Sequence, residues 1–282
     1  MSNPSYQIRP MAENEFQTAV DLAAAEGWNP GLHDAALFFA ADPHGFLAGF
    51  LDGQLIATIS AVRYGQRFGF VGFYIVKPEF RGRGYGWKLW QAAMERLTGC
   101  NVGLDGVLAQ QDNYKKSGFQ LAYRNIRYQA QLAARMKKNS NVVDLITLPF
   151  ETIVDYDSRC FFTSRPEFLR PWIAQPAGRA LACLSDGQLQ GYGVIRQCRS
   201  GCKVGPLFAD DPAIADRIFL ALAAYAENQP VFLDVPEPNS AAVALAEQYK
   251  MQPVFQTARM YTGPAPALDL DKVFGVTSFE LG

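Results

Sequence analysis

At 282 residues the chain is longer than one domain of ordinary size and predicts two. Hydrophobic residues make up 49% of it and charged residues 19%, a globular composition that excludes a disordered chain. The formal net charge of −1, from 26 basic and 27 acidic side chains, offers no electrostatic handle for nucleic acid or an anionic membrane.

In chain order, residues 6–11 alternate and predict a strand, and 13–26 carry Phe16, Val20 and Ala23 at helical spacing up to Gly27. The turn residues of 28–31 predict a loop, after which Asp34 can cap a short helix to residue 40. Strands at 46–51 and 55–64 flank Asp52-Gly53, a strong hairpin turn. Residues 68–76 are nearly all apolar, as in a strand buried on both faces, and Pro78 ends it. Arg81-Gly-Arg-Gly-Tyr-Gly86 opens a helix to 97 with Tyr85, Leu89 and Ala93 on its inner face. A strand at 101–107, a short helix at 110–117 stopped by Gly118, and one or two strands over 119–131 follow.

Lys137-Lys-Asn-Ser-Asn141 is a polar break, which divides the chain into domains 1–136 and 142–282. The second half repeats the first. It predicts a strand at 142–148, helices at 150–161 and 166–173, and a hairpin around Asp186-Gly187. A strand at 202–208, a helix at 211–227, a strand at 231–235, a helix capped by Asn239 and a closing strand at 254–262 complete it. The repeated order predicts an internal duplication. The fold class is α/β with mixed sheets: two tandem domains, each a mostly antiparallel central sheet flanked by helices.

Residues 1–10 lack the apolar core and cleavage pattern of a signal peptide, and the longest apolar run, 218–226, is far short of a membrane span. Cys100, Cys160, Cys183, Cys198 and Cys202 are odd in number and scattered, which fits a reduced, cytoplasmic setting. Cys198 and Cys202 have no second ligand pair or nearby histidine, so no metal is expected.

The chemistry centres on 81–86. The first turn of a helix presents unpaired N–H groups and a partial positive charge. Gly82, Gly84 and Gly86 remove the side chains that would keep a pyrophosphate away, and Arg81 and Arg83 add charge. A dinucleotide fingerprint would begin with glycine inside a βαβ unit, and a Walker loop would continue Gly-Lys-Ser/Thr; neither pattern is present.

Val76-x-Pro-x-Phe-Arg-Gly-x-Gly-x-Gly86 resembles the acetyl-CoA motif of the GNAT N-acyltransferases, and Tyr114-Lys-Lys-Ser-Gly-Phe119 resembles that family's second signature. The element order over residues 6–131 is also similar to the family's. The resemblance implies that Tyr74, Ile75 and Val76 pair through their backbones with the pantetheine arm, that one backbone N–H polarises the thioester carbonyl, and that Arg81, Gly82, Arg83, Gly84, Tyr85 and Gly86 hold the pyrophosphate. Tyr114 would protonate the leaving thiolate. The family often has an Asn at the start of the short helix, whereas residues 107–112 are Val-Leu-Ala-Gln-Gln-Asp, which leaves the contacts from that helix open.

No carboxylate lies on 68–76, where many relatives place a general base. Asp105, an acid within an apolar run, is the candidate; a backbone-bonded strand-end Asp is the plainer alternative. His33 and His44, the only histidines, and a water chain are further candidates, while Glu79 sits in an exposed turn. Trp28, Asn29, Phe39 and Phe46, with Phe38, would form an apolar, aromatic acceptor pocket, unless they are core beneath the loop.

The second half has Ala209-Asp-Asp-Pro212 where the first has its glycines. Two carboxylates suit a helix N-terminus but repel a pyrophosphate, so this copy keeps the fold and loses CoA binding, as in tandem GNAT proteins with a degenerate second domain. Asp234, Glu237 and Asn239 are candidates for an acceptor amine, with capping and turn chemistry as the alternative. The expected activity is acetyl-CoA-dependent N-acetyltransfer to a small-molecule amine by direct attack on the thioester; the alternative is a non-catalytic CoA-binding sensor. The expected state is a monomer with pseudo-dimeric domains or a homodimer.

Overall fold

The computed structural model describes residues 5–132 and 141–282. Its first half runs β1 (Tyr6–Pro10), α1 (Glu13–Ala25), α2 (Asp34–Phe39), β2 (Phe46–Leu51), β3 (Gln54–Tyr64), β4 (Phe68–Val76), α3 (Tyr85–Arg96), β5 (Asn101–Val107), α4 (Gln111–Lys116) and β6 (Gln120–Gln131). The second runs β7 (Val142–Asp144), α5 (Phe150–Phe161), α6 (Pro166–Ile173), β8 (Gly178–Ser185), β9 (Gln188–Gln197), β10 (Cys202–Ala209), α7 (Pro212–Ala223), β11 (Pro230–Pro236), α8 (Ser240–Gln248), β12 (Gln252–Tyr261) and β13 (Val273–Gly275). Most of the polar break, 137–140, lies outside the described residues.

The duplication is visible in local geometry. Both central hairpins turn on Asp-Gly pairs with left-handed backbones, φ 49° and 83° at Asp52 and Gly53, 49° and 75° at Asp186 and Gly187. Two consecutive positive φ values are what a two-residue hairpin turn of matching twist requires. Asp211 and Asn239 cap α7 and α8 by accepting from the Ile214 and Ala242 amides.

The sheet differs from the expectation in one respect. The strand at 254–262 does not close a separate second sheet. As β12 it inserts between β5 and β6, pairing Thr257–Tyr261 with Gly103–Val107 on one side and with β6 on the other. β6 in turn pairs through Asn125–Gln131 with β11 of the second half. The two halves thus exchange β6 and β12, and the described strands form one mixed sheet ordered β1-β2-β3-β4-β5-β12-β6-β11-β10-β9-β8-β7, with β13 off this path against β10. A strand's own residues specify which face is buried, not which non-local neighbour it takes.

Helices α1, α2, α5 and α6 share one core that spans both halves. In it Phe16, Phe46 and Phe73 cluster, and Phe38 stacks on Trp172 with ring centroids 5.6 Å apart. On the opposite face α3 covers β3–β5 through Leu89, Trp90 and Ala93, and α7 and α8 cover β9–β11.

Three buried ion pairs cross between the halves. Asp105 meets Arg259, Asp234 meets Arg127, and Asp34 meets Arg196. Burial alone would raise the Asp234 carboxyl; the Arg127 guanidinium overrides it and holds the group below its ordinary value. Such pairs add little net stability over apolar packing, but losing one partner strands the other's charge. Asp34→Ala should therefore lower the unfolding free energy by about 3–5 kcal/mol. Arg179→Ala, which breaks an exposed pair with Asp144, should cost less than about 1 kcal/mol. Denaturant midpoints that fall equally in the two variants would contradict this ranking.

Candidate active site

Strands β4 and β5 run parallel but pair only from Phe68 opposite Asn101 to Val71 opposite Leu104. Beyond that they part, and among the described strands none pairs with this edge of β4 past Val71. Phe73 lies at the parting with φ 48°, a conformation L-residues seldom adopt, and its carbonyl accepts from the side-chain hydroxyl of Thr58 on β3 at 2.9 Å. The wedge opens a cleft of about 590 Å³. Val71–Val76 line one wall, Leu104–Val107 and Tyr114 the other, and Arg81, Gly82, Gly84 and Gly86 the outer end.

That outer end is built for an anion. Gly82 and Gly84 have φ of 74° and 81°, so glycine is required there, and a Cβ at either would project into open space. Gly84 is the N-cap of α3, whose first amides face the cleft with no side-chain cap. Gly86 has a different reason: a Cβ there would lie 2.8 Å from the Tyr74 hydroxyl and 2.9 Å from Val76. The Arg81 side chain turns back, donating to the Val76 carbonyl at 2.7 Å and pairing with Glu26. Its guanidinium therefore secures the end of β4 as well as the loop, and Val76 is left with less free backbone than Tyr74 and Ile75.

Tyr114 forms part of the cleft wall. Its ring packs against Trp90 and Phe119 and rests directly on Gly106, where a Cβ would come within 2.3 Å of it. Burial, with Tyr74 nearby, pushes its hydroxyl up to about 12, so it holds its proton at neutral pH.

The inner end is formed by residues from across the molecule: Trp28, Asp105, Arg127, Phe255, Thr257, Phe279 and Glu280. Of the expected acceptor residues, only Trp28 is among them. Phe46 is fully buried and packs with Phe39 and Phe16 in the shared core, so both are structural. Asn29 exchanges two hydrogen bonds with Ser200 and joins the halves. Asp105 does line the cleft, but Arg259 takes both its oxygens, at 2.9 and 2.6 Å, and Asn125 donates a third bond. Its two oxygens are thus taken up in bonds across the halves. His33 and His44 are exposed and lie outside the cleft. Asp234 is consumed by Arg127, Asn239 by its cap and by the carbonyls of 270, 271 and 273, and Glu237 is exposed away from the site. Arg127, Phe255, Thr257, Phe279 and Glu280 were not foreseen, because they come from exchanged strands and the segment after β13.

The equivalent wedge of the second half is filled by the chain itself. β10 and β11 pair in parallel from Cys202 opposite Val231 to Val204 opposite Leu233, then part. Into the gap runs β13, pairing with Leu207 and Phe208 of β10, and the next amide, of Val276, donates to the Asp234 carbonyl of β11. At the helix N-terminus Asp211 caps α7 and Asp210 binds Lys272 at 3.0 Å.

Residues 8–119 match the acetyltransferase (GNAT) family model, and residues 153–275 match a second acetyltransferase (GNAT) domain model. The chain carries two GNAT domains in tandem. This tandem GNAT protein is 29% identical over 279 residues to a holothin acyltransferase from Pseudoalteromonas sp. (strain SANK 73390), covering 99% of this chain and 95% of that one. It is 25% identical over 194 residues to the uncharacterized N-acetyltransferase YitH of Bacillus subtilis, 68% of each. Among solved structures, a candidate acetyltransferase from Pyrococcus horikoshii shares its fold with a TM-score of 0.85 at 22% identity, covering 100% and 98% of the two chains. A tandem GNAT protein from the clavulanic acid biosynthesis pathway does so at 0.67 and 15%, covering 93% and 100%. The family places the protein among acyltransferases that use an acyl-CoA.

Gly106→Val should lift Tyr114 off the strand and into water. In a tyrosine NMR titration the Tyr114 signal should then move from about 12 toward the ordinary 10.0. An unchanged titration would contradict the packing described.

Proposed function

We propose that the first GNAT domain transfers an acetyl group from acetyl-CoA to the amino group of a small aromatic molecule. The observation that carries this reading is the open wedge between β4 and β5, with a glycine cradle at its outer end and buried Tyr114 on its wall. The donor supplies an activated thioester carbonyl. Backbone groups of Tyr74 and Ile75 on the unpaired edge of β4 align the donor's arm, and an amide of that edge polarises the carbonyl oxygen. The first turn of α3 and Gly82–Gly84 hold its diphosphate. Tyr114, kept neutral by burial, delivers its proton to the departing sulfur.

The acceptor end supports an aromatic substrate. Trp28, Phe255 and Phe279 line it, and Arg127, itself stacked on Phe279 at 4.8 Å, is neutralised by Asp234. The similarity to a holothin acyltransferase over nearly the whole chain supports acyl transfer. In this reading the second domain binds no CoA, since β13 occupies its wedge and carboxylates its helix end. The five cysteines are free, which fits a cytoplasmic protein, and one chain supplies both halves of the site, which suits a monomer. No helix among the described residues is long and apolar enough to cross a membrane.

CoA release over a panel of aromatic amines tests the reading; binding of acetyl-CoA with no release for any amine would instead make the protein a sensor. Tyr114→Phe should lower kcat by about 100-fold while leaving acetyl-CoA affinity near normal, and unchanged turnover would remove Tyr114 from the mechanism. Gly84→Glu should abolish acetyl-CoA binding in a calorimetric titration, because it fills and charges the cradle; retained binding would contradict the site.

A further inference from the structure

We infer that Glu280, delivered by the second half, is the general base that takes the proton from the acceptor amine of the first domain; this rests on the acetyltransfer reading above. The segment 276–282 leaves β13 and crosses to the other half, where the Leu281 carbonyl accepts from the Tyr64 hydroxyl at 2.9 Å. At Gly72, the residue where β4 parts from β5, the Glu280 backbone comes so close that a Cβ on Gly72 would lie 2.1 Å from the Glu280 carbonyl oxygen. Glycine at 72 is therefore what admits Glu280 to the inner wall of the cleft.

Glu280 is buried, at 4% exposure, and is one of the residues that line the cleft, and its buried Oε2 has no hydrogen-bond partner. Among the described residues Glu280 enters no ion pair, unlike Asp105, Asp34 and Asp234, which are held by Arg259, Arg196 and Arg127. A buried carboxylate oxygen without a partner is costly and seldom retained without a use. The charged and titratable groups that face it are Arg127 of β6, Arg196 of β9, Lys203 of β10 and, beyond them, Cys198, Asp34 and Asp234. Arg127 and Arg196 already have acidic partners, and burial holds the Lys203 ammonium below its ordinary value. Glu280 Oε2 is thus left with no bonded cation, an arrangement that keeps a lone pair free to take a proton.

The step balances with Tyr114. The amine nitrogen forms the new N–C bond and gives a proton to Glu280. The C–S bond breaks, and the sulfur takes the Tyr114 proton. Glu280 then returns its proton through solvent to restore Tyr114. The products are the amide and free CoA.

The test uses the full chain, acetyl-CoA and a panel of aromatic primary amines headed by 2-phenylethylamine. Glu280→Gln keeps the volume and removes the base. It should lower kcat by about 100-fold, leave acetyl-CoA affinity unchanged, and abolish the acid limb of the kcat–pH profile that wild type shows. Glu280→Asp, which keeps a carboxylate, should regain part of the rate together with the acid limb. A Glu280→Gln rate within about threefold of wild type, or an acid limb that survives the substitution, would overturn the assignment. So would loss of acetyl-CoA binding in both variants, which would mark Glu280 as structural. Amine-independent CoA release in the wild type would instead overturn the acetyltransfer reading itself.

Discussion

Each half of the molecule gives a strand to the other, β6 from the first and β12 from the second. With β12 seated between β5 and β6, and β6 running on against β11, neither half has a complete sheet of its own. The backbone ladders here join residues far apart in the chain, such as Pro230 with Gln131 and Tyr123 with Arg259, and the crossing pairs Asp105–Arg259 and Asp234–Arg127 hold the exchanged strands in register. A slip of one residue would turn Arg259 away from Asp105 and place an apolar neighbour there. The exchange also brings Phe255 and Thr257 to a cleft whose other wall is β4.

One duplicated geometry thus has two outcomes. In both halves a parallel pair holds for a few residues and then parts, leaving a strand edge without a partner. An open edge needs hydrogen bonds from somewhere. In the second half they come from β13, and the helix end above is satisfied by Asp211 and by the Asp210–Lys272 pair. In the first half the edge stays open, the helix end is bare glycine, and the cleft between them matches a donor with an amide-bearing arm and a diphosphate. The segment that closes the second wedge continues into the first and adds Phe279 and Glu280 to its inner wall.

The glycine turn and the spacing of Tyr114 were legible in the sequence because their demands are local. Gly82, Gly84 and Gly86 stand in one turn for reasons of φ and close approach, and Tyr114 precedes Gly118-Phe119 by a fixed spacing on a short helix. The Asp-Gly hairpins and the Asp211 and Asn239 caps are local in the same sense. The acceptor side was not legible. Phe39 and Phe46 read as pocket aromatics since an aromatic beneath a loop looks the same whether it faces solvent or core. Asp105 read as a free acid because its partner, Arg259, lies 154 positions away. Nothing in the strand pattern of 252–261 says which sheet it joins, and Glu280 has no periodic context. The one signal that could have been followed is Gly72, a glycine inside an otherwise apolar strand, which marks a close approach by another backbone.

The central claim is that the fold is present twice and the donor site once. A calorimetric titration of the full chain with acetyl-CoA tests it most directly. The account predicts saturation at one molecule per chain. Two molecules per chain would show that β13 does not close the second wedge, and none would show that the first wedge is not a CoA site.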